Sequence, residues 1–328
     1  MSGARGANHR TLSARPVASV SVDLDNLWAY LKTHGDPDWA RLPSFLPAAV
    51  PRLLGVLGAH RVTATFFAVG MDVERDDGAQ AVADVSADRH EVANHSYRHE
   101  PWLHRYSRAE LETELVRTEE AIVAAGAPRP VGFRGPGYSV SPDLLAVLAE
   151  RGYTYDASVL PTWTGPLARA FHNRTARAGE RRDELFGGFS RVLAPNRAHR
   201  WRLADGTHLV ELPVTTMPLL RVPVHGAYVL LLHAISPRLA RAYFATAIRL
   251  CRWLGVGPSL LVHPTDVLGD AEAPGMEFFP GMAVPAGQKI ALLDWMLATL
   301  RSHFDVVGTG EHVERIGVPS RTRRVCAA

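Results

Sequence analysis

The sequence predicts an α/β protein with a mainly parallel sheet or barrel at its centre. Segments with strand-like and helix-like patterns alternate along the chain, and such alternation is typical of parallel sheets. In the first half, each predicted strand is followed by a polar loop and a helix. Side chains that can do chemistry stand directly after several of these strands. The 328 residues suffice for one large α/β domain or two small ones, and no internal repeat divides them.

Local signals place the individual elements. Short β-branched or apolar runs predict strands at residues 17–22, 62–67, 90–93, 130–133, 209–214, 259–262 and 305–307. Apolar spacing and end signals predict helices at residues 47–58, 107–125, 141–152, 236–254 and 289–303. The helix at residues 107–125 is the clearest, because Ser107 and Glu110 make a capping box and Gly126 follows its end. Its predicted buried stripe consists of Leu111, Leu115, Thr118 and Ile122.

The organisation of the chain is predicted to be simple. A disordered N-terminal segment at residues 1–16 precedes a single domain at residues 17–315, and a C-terminal tail follows at residues 316–328. Residues 163–208 are rich in arginine and poor in acids, so we interpret them as an irregular excursion from the domain. Their arginines could pair with phosphate groups or simply face solvent.

Composition excludes several classes of protein. A formal charge of +3 is too mild to argue for nucleic-acid binding, and no known nucleic-acid motif supports it. Two cysteines, Cys251 and Cys326, cannot make a disulfide framework and favour a reducing compartment. The N-terminus lacks the apolar stretch of a signal peptide, and no apolar run approaches the length of a membrane span. We therefore expect a cytoplasmic protein, with room for peripheral contact at the inner face of the membrane.

Two histidines four residues apart, His95 and His99, are candidate metal ligands. In a helical turn they would share one face and could both reach a single ion. Together with a carboxylate from Asp25, they would form the ligand set of an open, catalytic metal site. A pair of surface histidines is the plainer interpretation of the spacing alone, since the chain has 15 histidines.

Asp23 and Asp25 stand at the end of the first predicted strand, with Leu24 between them. In extended backbone, residues two apart point the same way, so both carboxylates could face one site. Two clustered carboxylates repel each other and need a compensating cation. A metal ion at Asp25 and a guanidinium at Asp23 would provide it. Loop or helix capping is the alternative for an isolated Asp-x-Asp.

Three more polar residues follow predicted strands. Arg134 opens a Gly/Pro-rich loop, in which glycine allows the backbone to approach a substrate closely. His263 ends the strand at residues 259–262, and Asp156 lies in a Tyr-Asp-Ala-Ser run. Taken singly, a turn arginine, a core histidine and a capping aspartate are the plainer interpretations. Because functional side chains of parallel α/β folds sit at the carboxyl ends of strands, their convergence favours one site.

The order of these motifs resembles that of the polysaccharide deacetylase (NodB-homology) family. The resemblance runs from about residue 21 to residue 307 and is densest from Asp23 to Tyr155. It is carried by Asp23-Leu-Asp25, His95-Ser-Tyr-Arg-His99, Arg134-Gly-Pro-Gly-Tyr138, Tyr155-Asp-Ala157 and Leu261-Val-His263. The leucine between the aspartates resembles the branch that contains lipid-linked aminoarabinose deformylases and allantoinase-like members.

The resemblance implies a distorted (β/α)7-type barrel that forms a single deacetylase-like catalytic domain. It also implies a divalent metal ion, usually zinc, held by Asp25, His95 and His99. The loop that carries the third motif has an extra glycine before its tyrosine. The resemblance implies that this part of the loop, at Gly137 and Tyr138, contacts the substrate or forms the oxyanion hole.

The resemblance also implies roles for the remaining motif residues. Asp23 would be the general base, and Arg134 would orient it. His263 would be the general acid, and Asp156 would tune His263.

By the same resemblance, we expect a metal-dependent hydrolase that removes an N-acyl group, acetyl or formyl, from an amino sugar. The lack of a secretion signal favours a sugar linked to a nucleotide or to a lipid phosphate. The apolar residues 218–235 and 276–282 would either pack in the core or line a groove for a lipid chain. Two alternatives stay open: a cyclic-amide or ureide hydrolase of the allantoinase-like type, and a non-catalytic carbohydrate-binding relative. The sequence does not indicate the oligomeric state.

Overall fold

Seven parallel strands form the centre of the protein, in the spatial order β7-β5-β4-β3-β2-β1-β8. The structure is a computed structural model that describes residues 15–165 and 194–325. β6 pairs antiparallel with β7, β10 extends that edge, and β9 pairs with the start of β1. The strands are β1 Val17–Asp23, β2 Thr65–Ala68, β3 Glu91–Asn94, β4 Gly132–Phe133, β5 Tyr155–Asp156, β6 His199–Arg202, β7 His208–Glu211, β8 Ser259–Val262, β9 Asp305–Val307 and β10 Thr322–Arg324.

The two ends of this strand order meet, so the sheet closes into a distorted barrel. Just after β7, the backbone N–H of Thr215 donates to the carbonyl of Ser259 over 3.0 Å. The N–H of Ser259 donates in return to the hydroxyl of Thr215 over 2.6 Å. The predicted (β/α)7-type barrel is therefore confirmed. It closes between β7 and β8, where the hydroxyl of Thr215 takes the place of a backbone acceptor between neighbouring strands.

Helices cover the outside of the barrel, as expected for parallel strands joined by crossover connections. They are α1 Leu27–His34, α2 Leu46–Ala59, α3 Gly70–Val73, α4 Asp76–Ala87, α5 Arg108–Ala124, α6 Pro142–Glu150, α7 Gly226–Ile235, α8 Pro237–Leu254, α9 Ala286–His303 and α10 Thr309–Ile316. Short 3-10 turns lie at Pro37–Arg41, Leu103–Arg105, Pro136–Tyr138, Pro264–Asp266 and Asp270–Glu272. Among the described helices, none combines the length and apolarity that crossing a bilayer requires.

Helix α10 closes the end of the barrel at which the strands begin. The N–H of Thr309 donates to the hydroxyl of Thr65 over 2.6 Å, and the ring of His312 bonds to the hydroxyl of Ser19 over 2.9 Å. The Glu91 carboxylate accepts from the N–H of Gly310 over 2.9 Å. Since these partners lie early in β2, β1 and β3, only the opposite end, where the strands finish, is left for a site.

The predicted order of elements is confirmed in the described residues, with local differences. Strand β2 begins at Thr65, three residues later than predicted, because Arg61 adopts φ +52° and turns the chain before it enters the sheet. The strand predicted at residues 209–214 ends as β7 at Glu211. The capping box of Ser107 and Glu110 is present at the start of α5.

Three predictions about irregular segments are only partly within the described residues. Residues 1–14, and residues 166–193 of the Arg-rich excursion, lie outside them. Within that excursion β6 is a regular strand, because it pairs with β7. In the predicted C-terminal tail, residues 322–324 form β10 against β6.

Candidate metal centre and active site

Asp25, His95 and His99 come together at the carboxyl end of the barrel strands. One ligand atom from each lies within 4.8 Å of the other two. Nε2 of His95 is 3.2 Å from Oδ1 of Asp25, and Nε2 of His99 is 3.0 Å from the same oxygen. Two imidazole nitrogens and one carboxylate oxygen at this spacing fit a divalent ion such as zinc, with a coordination position left for water or substrate.

A hydrogen bond on the far side of His95 orients its ring toward this cluster. Nδ1 of His95 lies 2.6 Å from the carbonyl oxygen of Arg134. A carbonyl oxygen only accepts, so Nδ1 carries a proton, and Nε2 faces Asp25. Such a bond fixes the tautomer that a metal ligand needs.

The segment from His95 to His99 is a bent loop, so the prediction that the two histidines share a helical turn is wrong. Ser96 and His99 both adopt positive φ, +63° and +54°, which side chains other than glycine rarely do. The loop is instead shaped by Glu114 of α5, whose Oε2 accepts from the N–H groups of Tyr97 and Arg98, each over 2.8 Å. A buried carboxylate on a neighbouring helix thus stabilises backbone that holds both histidine ligands.

Replacing Glu114 by alanine is therefore expected to weaken metal binding by about 10–100-fold, the range typical of groups that orient metal ligands. The two N–H groups of the loop would lose their acceptor, and the positive-φ conformation at His99 would no longer be enforced. Isothermal titration with Zn²⁺ measures the effect. Glu112 lies on the exposed face of the same helix, so Glu112→Ala is the matched control. Equal affinity in the two variants would contradict the role given to Glu114.

Asp23 and Arg134 form a buried ion pair beside the cluster. Nη1 of Arg134 donates to Oδ1 of Asp23 over 2.6 Å and to the hydroxyl of Ser21 over 2.9 Å. Its Nε donates to the carbonyl of Ala157 over 3.0 Å, and its guanidinium lies 4.2 Å from the ring centre of Phe67. Arg134 is wholly buried. The free oxygen of Asp23 is thereby aimed past the guanidinium, toward the candidate metal centre.

Both aspartates of the Asp-x-Asp motif reach the same imidazole. Oδ2 of Asp23 is 3.9 Å from Nε2 of His95, and Oδ1 of Asp25 is 3.2 Å from it. Burial alone would raise the pKa of Asp25, but the adjacent imidazoles of His99 and His95 outweigh it and hold the pKa well below its ordinary value. Asp25 is thus an ionised carboxylate in this setting, as a metal ligand must be.

His263 follows β8, and the carboxyl group beside it belongs to Asp266. The His263 N–H donates to Oδ2 of Asp266 over 2.9 Å, and Nδ1 of the same histidine lies 4.0 Å from that oxygen. The ring of His225, the residue before α7, stands edge-on to that of His263 with centroids 6.4 Å apart. Burial, and then the charge of His263, lower the pKa of His225 to about 3, so His225 is neutral near pH 7.

Asp156 makes no hydrogen bond to His263, and its contacts lie with the loop that carries Arg134. Its Oδ1 accepts from the hydroxyl of Ser158 over 2.5 Å, and that hydroxyl accepts from the N–H of Gly135 over 2.8 Å. Glu211 faces it from the next strand. Burial raises the pKa of Asp156, and burial together with the charge of Asp156 raises the pKa of Glu211 well above its ordinary value. Asp156 therefore supports the loop that carries Arg134.

The loop at Gly137 and Tyr138 lies near the site, and its predicted contact with the substrate stays a prediction. The N–H of Tyr138 already donates to the carbonyl of Gly135 over 3.0 Å, so it is not free to stabilise an oxyanion in this conformation. Gly137 has φ +57°, and a Cβ there would lie 2.9 Å from Cβ of Pro101, which explains the glycine by packing. Desolvation, and then the carboxylate of Asp23, raise the pKa of Tyr138, whose side chain therefore lies near the site.

Sequence reasoning missed several residues that shape this site: Ser21, Glu114, His225 and Asp266. Two of them carried a local signal. Ser21 precedes Asp23 by two residues on a strand and so faces the same way. Glu114 interrupts the buried stripe of α5 with a charge. The others depend on which distant elements pack together, and no local pattern indicates them.

The fold and the site define a class: a parallel barrel with an Asp-His-His ligand set, an ion-paired aspartate and a histidine at its carboxyl end. A family model described as polysaccharide deacetylase matches residues 35–155. The predicted resemblance is thereby confirmed: residues 35–155 are similar to the polysaccharide deacetylase family. Asp23, Asp25 and His263 lie outside the matched range, where their motifs and positions alone relate them to the family.

Similar proteins agree with this assignment. The chain is 37% identical over 108 residues to a chitooligosaccharide deacetylase from Bradyrhizobium sp. (strain ANU 289), which is 32% of this chain and 48% of that protein. It is 26% identical over 149 residues to a peptidoglycan deacetylase from Helicobacter pylori, 44% of this chain and 50% of that one. The chain thus spans about half the length of the curated relatives it matches.

A solved structure from Mycobacterium smegmatis supports the fold. That protein is named as a candidate polysaccharide deacetylase, and it is 21% identical to this chain. The superposition covers 95% of both chains with a TM-score of 0.59. Since the similarity extends well beyond residues 35–155, it supports one barrel that includes β8.

Proposed function

We propose that this protein is a metal-dependent hydrolase that removes an N-acyl group from an amino sugar. The observation that carries the proposal is the meeting of Asp25, His95 and His99 beside the Asp23–Arg134 ion pair. The relatives are named as deacetylases of chitooligosaccharide and of peptidoglycan, whose amino sugars bear acetyl groups. Acetyl is therefore the first acyl group to test, and formyl, which the Asp-Leu-Asp form of the first motif favours, is the second.

Asp25, His95 and His99 would hold the divalent ion, with zinc as the expected metal for one carboxylate and two imidazoles. Bound there, the ion would lower the pKa of a water molecule and polarise the amide carbonyl of the substrate. The ionised state of Asp25 and the Nδ1–H tautomer of His95 both suit this role.

Asp23 is placed to accept the proton of the attacking water. One of its oxygens is held by Arg134, and the other remains directed toward the ligand cluster at 3.9 Å from His95. Arg134 orients this base through a charge-assisted hydrogen bond that neither solvent nor side-chain rotation disturbs, because the guanidinium is wholly buried.

His263 is the proposed proton donor to the leaving amine. Without that proton the tetrahedral intermediate would collapse back to the amide. Asp266 fixes the backbone of His263, and neutral His225 lies against its ring without competing as a second cation. In this proposal Asp266 takes the neighbouring-carboxylate role that the family resemblance had assigned to Asp156.

We also propose that the amino sugar is attached to a lipid carrier. Of the two apolar segments, residues 276–282 pack partly against α1, with the ring of Phe279 edge-on to Tyr30 at 5.0 Å and Phe278 stacked on His34 at 3.7 Å. Leu219 and Ile235 of the other segment are exposed, by 77% and 71%. These apolar surfaces favour an amino sugar attached to a lipid carrier over a small water-soluble one.

A metal-replacement assay tests the proposed function. The purified protein, treated with a chelator and then given Zn²⁺, is expected to release acetate from N-acetylglucosamine oligomers or formate from N-formylated amino sugars. Activity should vanish on chelation and return with the metal. Asp25→Asn, which lacks the anionic ligand, should bind the ion weakly and stay inactive. Hydrolysis of allantoin in preference to every amino sugar, or activity that chelation leaves unchanged, would overturn the proposal.

A further inference from the structure

The chain has a long stretch without acidic residues that the site does not explain. No Asp or Glu occurs between Glu211 and Asp266, whereas α8 within this stretch carries four arginines: Arg238, Arg241, Arg249 and Arg252. All four are exposed, and none makes an ion pair with a carboxylate among the described residues. Such a run of positive charge without carboxylate partners favours an acidic partner for this helix.

Helical spacing divides the surface of α8 into three stripes. The buried stripe, Ala240, Phe244, Ala247, Ile248 and Cys251, packs into the core. The arginines are separated by three, eight and three residues, which places them in one narrow stripe at 100° per residue.

The third stripe lies directly beside the arginines and is apolar and exposed. It contains Leu239, 46% exposed, and Trp253, 77% exposed. Ile235, at the end of α7 and two residues before α8, is 71% exposed. Large apolar side chains this accessible, next to a line of arginines, are the composition of helices that lie in a membrane interface.

We propose that the outer face of α8, with the end of α7, binds the surface of an anionic lipid bilayer. The four arginines would pair with lipid phosphates, while Trp253, Leu239 and Ile235 would enter the boundary between headgroups and acyl chains. The proposal does not depend on the proposed hydrolysis, since none of these residues is among the candidate metal-binding or catalytic residues, although Ile235 also belongs to the apolar surface considered above for a lipid carrier.

Charge and apolarity together favour a bilayer over other partners. A second copy of the chain, related by a twofold axis through this face, would set arginines against arginines with no acid on α8 to relieve them. Nucleic acid would satisfy the arginines but would leave aliphatic Leu239 and Ile235 without an apolar partner. A lipid interface satisfies both kinds of side chain.

Vesicle sedimentation tests the proposal with the full chain. The protein is expected to bind vesicles of 30% phosphatidylglycerol in phosphatidylcholine and not to bind vesicles of pure phosphatidylcholine. Each arginine near an anionic membrane contributes about fivefold in affinity. The quadruple variant R238Q/R241Q/R249Q/R252Q should therefore lose binding by at least roughly 100-fold. Trp253→Ala, which keeps the charge, should weaken binding several-fold.

A charge-matched control separates this surface from the net charge of the protein. Arg61, Arg89, Arg301 and Arg321 are exposed and lie outside α8. Their simultaneous replacement by glutamine should leave vesicle binding within about threefold, and circular dichroism should show both quadruple variants folded. Equal losses in the two variants, no binding by the wild type, or tighter binding to duplex DNA than to vesicles would overturn the proposal.

Discussion

Replacing Asp23 by asparagine is expected to lower kcat/KM for deacylation by about 10²–10⁴-fold, the contribution typical of a positioned general base. The amide oxygen of asparagine can still accept from Nη1 of Arg134, which now donates to Asp23 over 2.6 Å. The second oxygen, 3.9 Å from His95, becomes an NH₂ group that cannot take a proton from water. The change therefore removes the base and leaves the buried arginine with an acceptor.

Two measurements make this prediction specific. Zn²⁺ affinity should change little, because Asp23 is not among the three clustered ligands. Asp143→Asn, an exposed aspartate in the first turn of α6, is the matched control and should retain full activity. An Asp23→Asn protein that keeps more than half of the wild-type kcat/KM would remove Asp23 from the proposed mechanism.

Replacing Arg134 by methionine is expected to lower the free energy of unfolding by about 3–5 kcal/mol, as when one partner of a buried ion pair is removed. The Asp23 carboxylate, which is 4% exposed, would be left without its counter-charge. The hydroxyl of Ser21 and the carbonyl of Ala157 would each lose a donor. Urea denaturation followed by circular dichroism measures the loss.

A double-mutant cycle identifies the cause of that loss. In Arg134→Met combined with Asp23→Asn the uncompensated charge is absent, so the double variant should be more stable than Arg134→Met alone. Arg129, which is 42% exposed and pairs with Glu119, is the surface comparison. Arg129→Met should cost at most about 1 kcal/mol. Similar costs at the two arginines would contradict the structural role of the Asp23–Arg134 pair.

Much of the fold could be predicted because its signals are local. The β-branched run that becomes β1, the capping box of Ser107 and Glu110, and the Ser-Pro start of α8 each act within a few residues. Closure of the barrel is different in kind. It depends on Thr215 meeting Ser259, two residues far apart in the chain whose contact no pattern in either segment indicates.

The site divides in the same way. The residues that could bind a metal ion were identifiable from the sequence, because the side chains that follow parallel strands all lie at the same end of the barrel. The supporting residues were not. Glu114 shapes the histidine loop from α5, and Asp266 rather than Asp156 stands beside His263. Asp156 contacts Ser158 and faces Glu211 of the next strand, so its role toward His263 stays a prediction.

By itself, the sequence determined the alternation of strands and helices, the strand ends that carry Asp23, Asp25, His95 and His263, and the acid-free arginine stripe of α8. Three features were decided by tertiary structure alone. The segment from His95 to His99 is a bent loop, the N–H of Tyr138 donates to the carbonyl of Gly135, and the carboxylate of Asp266 flanks His263. The reason is physical. Backbone periodicity and capping act over a few residues, whereas the conformation of a loop and the partner of a buried charge follow from which distant elements pack against it.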